Sequence, residues 1–190
     1  MSDPIQMLEE KDALIVVDVQ NDFCPGGKLA IESGDAVVPE LNRWIEAAEK
    51  KEVPIFFSRD WHPVGHLSFD SRGGDWPPHC LQDTQGAAFH PDLRLPDSAA
   101  KVTKGVRFDQ DQNSVFDQTG LGDELRRDGV QRVFVGGLAE DVCVLASVLD
   151  ARAEGFETVV LLAATRPVTA DGGKAAVEKM KAAGAVILPD

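Results

Sequence analysis

The longest apolar runs are a handful of residues, such as Ala13–Val17 and Val159–Ala164. A bilayer span needs about 20, so a membrane-embedded helix is excluded from the reading. Basic residues are scarce: 19 Lys and Arg stand against 32 Asp and Glu, a formal charge of −13. That balance repels phosphate backbones and argues against a nucleic-acid partner. Three cysteines cannot all pair within one chain, and 190 residues are too many for a disulfide miniprotein. The N-terminus has no basic stretch leading into an apolar one, so no export signal is read and a reducing cytoplasm is the expected compartment. Internal repeats and low-complexity tracts are missing. So is a G-x-G-x-x-G after the first apolar run, where Asp18 stands instead, which removes the dinucleotide-binding reading.

What is present is the composition of a globular α/β protein: 43% hydrophobic and 27% charged residues. Short β-branched runs at 13–17, 54–58, 101–103, 132–136, 158–163 and 185–188 alternate with helical patterns. Residues 35–51 place Val37, Val38, Leu41, Ile45 and Ala48 near a 3.6-residue period. Further helices are expected at 123–127, 141–154 and 172–183, the first two closed by Gly129 and Gly155, the third by Gly184. Strands that are apolar on both faces and separated by helices predict a single doubly wound α/β domain over 1–190, with about six parallel strands covered on both faces. Residues 59–100, rich in Pro, Gly, His, Trp and Asp, break the rhythm. A long irregular stretch in a compact domain is usually functional.

In such sheets ligands bind beyond the carboxyl ends of the strands. The residues there are Asp18 after the first run, Asp60 and His62 after the second, Lys104 after the third, and Cys143 beyond the fourth. Cys143 is expected just inside a helix start, where backbone N–H groups favour a thiolate and can hold an oxyanion. Asp18 directly after a buried strand needs a partner, and Lys104 supplies the opposite charge. A lysine-held carboxylate facing a thiol is a base–nucleophile pair. Cys24 and Cys80 read as structural. Asp60-x-His62, His66 and Trp76-Pro77-Pro78-His79 form a second group. Asp60, His62 and His79 suit one divalent transition metal, zinc or iron with manganese as a further option, and His66 is a fourth ligand or a hydrogen-bond donor to that centre.

Val16-Val17-Asp18-Val19-Gln20-Asn21-Asp22-Phe23-Cys24-Pro25-Gly26-Gly27, Arg59-Asp60-Trp61-His62-Pro63, Trp76-Pro77-Pro78-His79-Cys80, Lys104-Gly105 with Asp111, Ser114 and Phe116, and Gly136-Gly137-Leu138-Ala139-Glu140-Asp141-Val142-Cys143-Val144 resemble the nicotinamidases, also called pyrazinamidases, among the isochorismatase-like cysteine hydrolases. The resemblance implies deamidation of nicotinamide to nicotinate, within NAD salvage, through a Cys143 thioester. It implies Asp18, Lys104 and Cys143 as catalytic groups and an oxyanion hole from the N–H groups of Ala139 and Cys143. A cis peptide between Leu138 and Ala139 follows by the same resemblance, as does a small aromatic amide held by Phe23, Trp76 and Leu138. A homo-oligomer is an open option. Two positions depart from the family pattern: Glu140 stands where threonine is common, placing extra negative charge near the nucleophile, and Asn113 where an aromatic is common. Tyrosine is absent. An amidase for a ureido or carbamoyl compound, or a non-catalytic binding module on the same fold, are the competing readings.

Overall fold

In the computed structural model, which describes residues 3–189, the strand β1 (Asp12–Val17) lies at the middle of the sheet with all six residues buried. Its side chains alternate between two cores. Leu14 and Val16 join one apolar cluster; Ala13, Ile15 and Val17 join the other. This is the period of two expected of a strand covered on both faces. The remaining strands are β2 (Ile55–Asp60), β3 (Ala100–Lys104), β4 (Arg132–Leu138), β5 (Glu157–Arg166) and β6 (Val186–Leu188). All pairings are parallel, in the order β3-β2-β1-β4-β5-β6.

Helices cover the sheet on both sides. A short α1 (Pro4–Met7) precedes β1, and α2 (Val38–Lys50) packs on the face of Leu14 and Val16. Its Leu41, Trp44, Ile45 and Ala48 recur at helical spacing, and Trp44 meets Phe134 with ring centroids 5.2 Å apart. On the other face α3 (Leu121–Arg127), α4 (Leu145–Ala153) and α5 (Ala170–Ala182) bury Leu125, Val148, Ala151, Ala176 and Met180. No helix among the described residues is long and apolar enough to cross a membrane.

Five boundaries differ from the sequence reading in ways that matter. The helix expected over 35–51 is a 3₁₀ turn (Gly34–Val37) followed by α2, with Pro39 in the first turn, where its missing N–H costs nothing. Strands β2 and β3 run on to include Asp60 and Lys104, which pair in register. Strand β5 continues to Arg166, with a register irregularity between Val135 and Gly137 of its partner β4. The helix expected from Asp141 begins instead as a wide π turn (Glu140–Val144), because the Ala139 carbonyl accepts from the N–H groups of both Val142 and Val144.

The strand order reverses between β1 and β4, the place where doubly wound sheets open a crevice. Gly137 permits the two strands to close there. Its φ is +123°, and a Cβ would lie 2.1 Å from the Val17 carbonyl oxygen.

Candidate active site

Four strand ends converge beneath that crevice. Asp18 follows β1 in a left-handed conformation, φ 48°. Its Oδ1 accepts from Ser58 Oγ at 2.7 Å, and its Oδ2 lies 2.7 Å from Lys104 Nζ. Lys104 is 0% exposed, as is Asp18, and also donates to Asp60 Oδ1 at 2.6 Å. The register of β2 and β3 dictates this second contact, since Asp60 and Lys104 are paired residues on neighbouring strands. Cys143 Sγ stands 3.5 Å from the same ammonium and within 4.8 Å of carboxylate oxygens of Asp18 and Asp60. The expected thiol, acid and amine therefore meet, and Lys104 is the hub of a larger unit than the sequence suggested. A cis peptide joins Leu138 to Ala139 at the end of β4, directly before the turn that carries Cys143.

The electrostatics follow from burial. Burial pushes the Cys143 thiol well above its usual range, Asp18 and Asp60 add to the rise, and Lys104 opposes it. Burial also raises Asp18 above the ordinary 3.8, against the pull of Lys104. Burial works against the Lys104 ammonium, yet the two carboxylates outweigh it and hold its pKa well above an ordinary lysine. Asp60 is driven up by burial but held well below the usual carboxylate range by Lys104 and His62. Burial thus raises the proton affinity of both the thiol and the Asp18 carboxylate that faces it, and Lys104 opposes each rise.

The metal-type donors come from the irregular segment. His62 Nδ1–H donates to the Gly105 carbonyl at 2.8 Å, and His79 Nδ1–H to the Pro77 carbonyl at 2.8 Å. A carbonyl only accepts, so in its neutral form each ring presents a bare Nε2. Asp60, His62 and His79, all buried, offer ligand atoms within 4.8 Å of one another. His66 stacks on His62 at 4.3 Å, meets Ser68 Oγ at 2.8 Å through Nδ1, and keeps a buried Nε2 without a hydrogen-bond partner. His62, His66 and Asp111 form an adjoining group of the same compactness. An orphaned buried nitrogen beside two imidazoles and a carboxylate is the donor set of a zinc- or iron-type centre, so these residues fit a divalent metal.

Three residues that no spacing rule singled out hold this arm in place. Gln20, fully buried, donates to the carbonyls of Asp60 (2.7 Å) and Ala87 (2.8 Å) and accepts from the Asp60 N–H (2.8 Å). Asp22 accepts from the N–H of Cys80 (2.8 Å) and of Lys28 (3.0 Å), fixing the chain next to His79. Gln112 accepts from the Gly105 N–H at 3.1 Å and donates to the Asp117 carbonyl at 2.6 Å. None of the three belongs to a periodic pattern; Gln20 and Asp22 find partners at Asp60 and Cys80, 40 and 58 positions away, whereas Gln112 bridges Gly105 and Asp117, 7 and 5 positions away.

A cavity opens over these groups. Cys143, Ala139, Asp60, His62 and His79 line it, with Phe23, Trp76, Val142 and Val168 as apolar walls. Asn113 and Asp111 lie at its edge, with Asn113 Oδ1 4.0 Å from Cys143 Sγ. Leu138 is not on that wall. Its side chain is fully buried on the α2 side of the sheet, because alternation along β4 turns it into the core. Glu140 also lies off the cavity; its carboxylate turns away to accept from Thr165 Oγ1 at 2.6 Å. Cys24 and Cys80 are buried, and burial raises both thiols, Cys24 to about 11 with a contribution from Asp35.

A doubly wound parallel sheet with a thiol, a carboxylate and an ammonium at its switch point defines the class, a Rossmann-like α/β fold carrying a cysteine-centred site. The isochorismatase domain model matches residues 12–189. The chain is 39% identical to the nicotinamidase/pyrazinamidase of Mycobacterium tuberculosis, covering 90% of this chain and 95% of that protein. It is 37% identical to the nicotinamidase of Escherichia coli, covering 92% and 93%. The crystal structure of the pyrazinamidase of Pyrococcus horikoshii in complex with zinc superposes with a TM-score of 0.91 at 41% identity, covering 95% of this chain and 99% of that one. The chain belongs to the isochorismatase family.

Proposed function

We propose that this protein is a metal-dependent nicotinamidase that hydrolyses nicotinamide to nicotinate and ammonia, with pyrazinamide as an alternative substrate and Asp18, Lys104 and Cys143 as its catalytic groups. The observation that carries the reading is Cys143 Sγ, 3.5 Å from a buried ammonium that is itself 2.7 Å from Asp18, on the wall of a cavity that Asp60, His62 and His79 also line. Relatives named nicotinamidase and nicotinamidase/pyrazinamidase, at 37% and 39% identity over 93% and 95% of their length, support the reading.

Asp18 takes the thiol proton of Cys143 while Lys104 holds the carboxylate. The Cys143 sulfur attacks the carboxamide carbon, and the developing oxyanion is received by the N–H groups of Ala139 and Cys143. The loss of one such donor typically costs about 10²–10³ in rate. Asp18 returns the proton to the departing amine, so ammonia leaves and an acyl thioester remains. Water, giving up a proton to Asp18, cleaves the thioester to nicotinate and regenerates the thiol. Phe23 and Trp76 sandwich the pyridine ring and exclude water from it. Asp60, His62 and His79, with His66 beside them, hold the divalent metal. When bound, that ion supplies a Lewis-acid anchor for the ring nitrogen and for water.

The test is ammonia and nicotinate release from nicotinamide by the purified full chain, with and without a chelator. Stoichiometric ammonia and nicotinate, lost on chelation and restored by zinc or iron, is the expected result. Turnover of a ureido or carbamoyl compound in place of nicotinamide would assign the other amidase reading. Inactivity on both, with metal bound, would leave a binding module.

A further inference from the structure

We propose that Glu140 is a positioning residue that sets the nucleophile turn by latching it to the end of β5. The inference rests on the amidase reading and extends it to residues outside the cavity. Glu140 and Asp141 open the turn that carries Cys143, and both reach sideways to one segment. Glu140 Oε2 accepts from Thr165 Oγ1 at 2.6 Å, with the two residues 6% and 1% exposed. Asp141 accepts from the N–H groups of Val168 (2.8 Å) and Thr169 (3.4 Å), and Thr169 caps α5 by accepting from Gly172 N–H at 3.0 Å. Carboxylates at a helix N-terminus are favourably placed there.

The segment they grip is itself fixed to the sheet. Thr165 pairs with Gly137 and Arg166 with Leu138, so the latch closes opposite the Leu138–Ala139 peptide. Room for it is provided by two consecutive glycines in the first turn of α5. A Cβ on Gly173 would lie 2.9 Å from Glu140 Oε1, and one on Gly172 would lie 2.2 Å from Asp141 Oδ2. Val168 carries the same segment into the cavity wall. A buried, short, charge-assisted hydrogen bond from the first residue of the turn to a sheet position fixes where the Ala139 and Cys143 N–H groups point. Glu140 touches neither substrate nor thiol, so its effect belongs to the transition state, where those donors act.

The experiment compares Glu140→Ala, Glu140→Gln, Thr165→Val and the Glu140→Ala/Thr165→Val pair in the metal-loaded full chain. The Glu140→Ala and Thr165→Val variants are expected to lose about 10-fold or more in kcat with KM for nicotinamide within about twofold, on the scale of a misplaced oxyanion donor. The double variant should fall no further than Thr165→Val, which already removes the Glu140 bond together with the contact of Thr165 Oγ1 to the Leu162 carbonyl at 3.0 Å. Glu140→Gln, which keeps an acceptor for Thr165, should recover most of kcat. Binding of pyridine-3-carbaldehyde is a second readout. The S–H of Cys143 adds across its C=O, with the sulfur on carbon and the proton on oxygen, and this adduct should weaken in step with kcat while nicotinate binding does not change. Parent-like kcat in Glu140→Ala, additive losses in the double variant, or equal changes in kcat and KM would overturn the latch. If Glu140→Ala does not fold, as read by its thermal melt, Thr165→Val alone decides. A parent that releases no ammonia from nicotinamide would instead overturn the amidase reading.

Discussion

The two halves of the site are built in opposite ways. Asp18, Lys104 and the Cys143 turn hang on strand ends, and their positions follow from sheet register: Asp60 opposite Lys104, Val17 opposite Gly137. His62, His66 and His79 ride on the segment between β2 and β3, most of which lies outside the sheet, where isolated bridges such as His62 with Leu81 and side chain–backbone bonds from Gln20 and Asp22 replace the ladder. Precision comes from the backbone in the first half and from a few buried polar side chains in the second. Asp60 belongs to both. It ends β2, pairs with Lys104 at 2.6 Å, and reaches His62 at 3.6 Å, so one carboxylate joins the two halves electrically.

Replacing Cys143 with alanine should separate the halves most sharply. Turnover is expected to fall by about 10⁴-fold or more, the scale for loss of a covalent nucleophile. Metal content by elemental analysis should match the parent, because the sulfur is not needed to hold Asp60, His62 and His79 together. Parallel loss of the metal would show that the strand-borne thiol supports the loop-borne arm after all.

Lys104→Met should damage both halves together. It leaves the Asp18 carboxylate buried without its ammonium and takes one of its partners from Asp60, a change that costs about 3–5 kcal/mol when one partner of a buried pair is removed. Loss of activity, weaker metal retention and a large drop in thermal midpoint are expected from this single change. A stable variant that retains its metal would show that Asp60 is fixed without its ammonium.

Gln20→Leu acts chiefly on the second half. Three bonds that seat Asp60 and Ala87 disappear, while Lys104, Asp18 and Cys143 keep their mutual contacts. Support of this kind typically changes metal affinity by about 10–100-fold, measurable by competition with a chelating dye. Unchanged affinity would shift the weight to Asp22 and the His79 side.

The same contrast explains what could be read from the sequence. Six apolar runs in alternation with helical patterns gave the doubly wound sheet, because burial on both faces leaves a continuous hydrophobic signature. Asp18 and Lys104 were legible as charged residues at the ends of such runs. The Asp60-x-His62 and Trp76-Pro77-Pro78-His79 clusters were legible as residue types. The width of the turn before Cys143 was not, since a π turn and an α-helix share composition, and the deciding feature is one carbonyl accepting twice. Glu140 was expected to load charge near the nucleophile, but that expectation could not foresee Thr165, brought alongside only by the irregular pairing of β4 and β5. Gln20, Asp22 and Gln112 carry no periodic signal at all. Their meaning lies in partners such as Asp60, Cys80 and Gly105, and for Gln20 and Asp22 these stand 40 and 58 positions away.

The smallest expected effect is a shift in pH dependence within the strand-borne half. Asp18 must be ionised to take the proton of Cys143, and burial raises its pKa above 3.8 against the pull of Lys104 and the Ser58 hydrogen bond. The acid limb of kcat/KM therefore lies above the range of an ordinary aspartate, and activity is lost as pH falls through it. The raised pKa also means that the folded state binds this proton more tightly than the unfolded chain, so Asp18's own contribution to stability declines as pH rises from 3.8 through the folded value. Ser58→Ala removes a donor that favours the carboxylate while leaving the Ser58 carbonyl bonded to the Asp18 N–H. Its acid limb should move to higher pH, with kcat/KM down about two- to tenfold on that limb, the worth of one such hydrogen bond, and near the parent value on the plateau. A limb that stays in place, with a uniform fall at every pH, would mean that Ser58 orients Asp18 without tuning it. Register alone would then account for the strand-borne half.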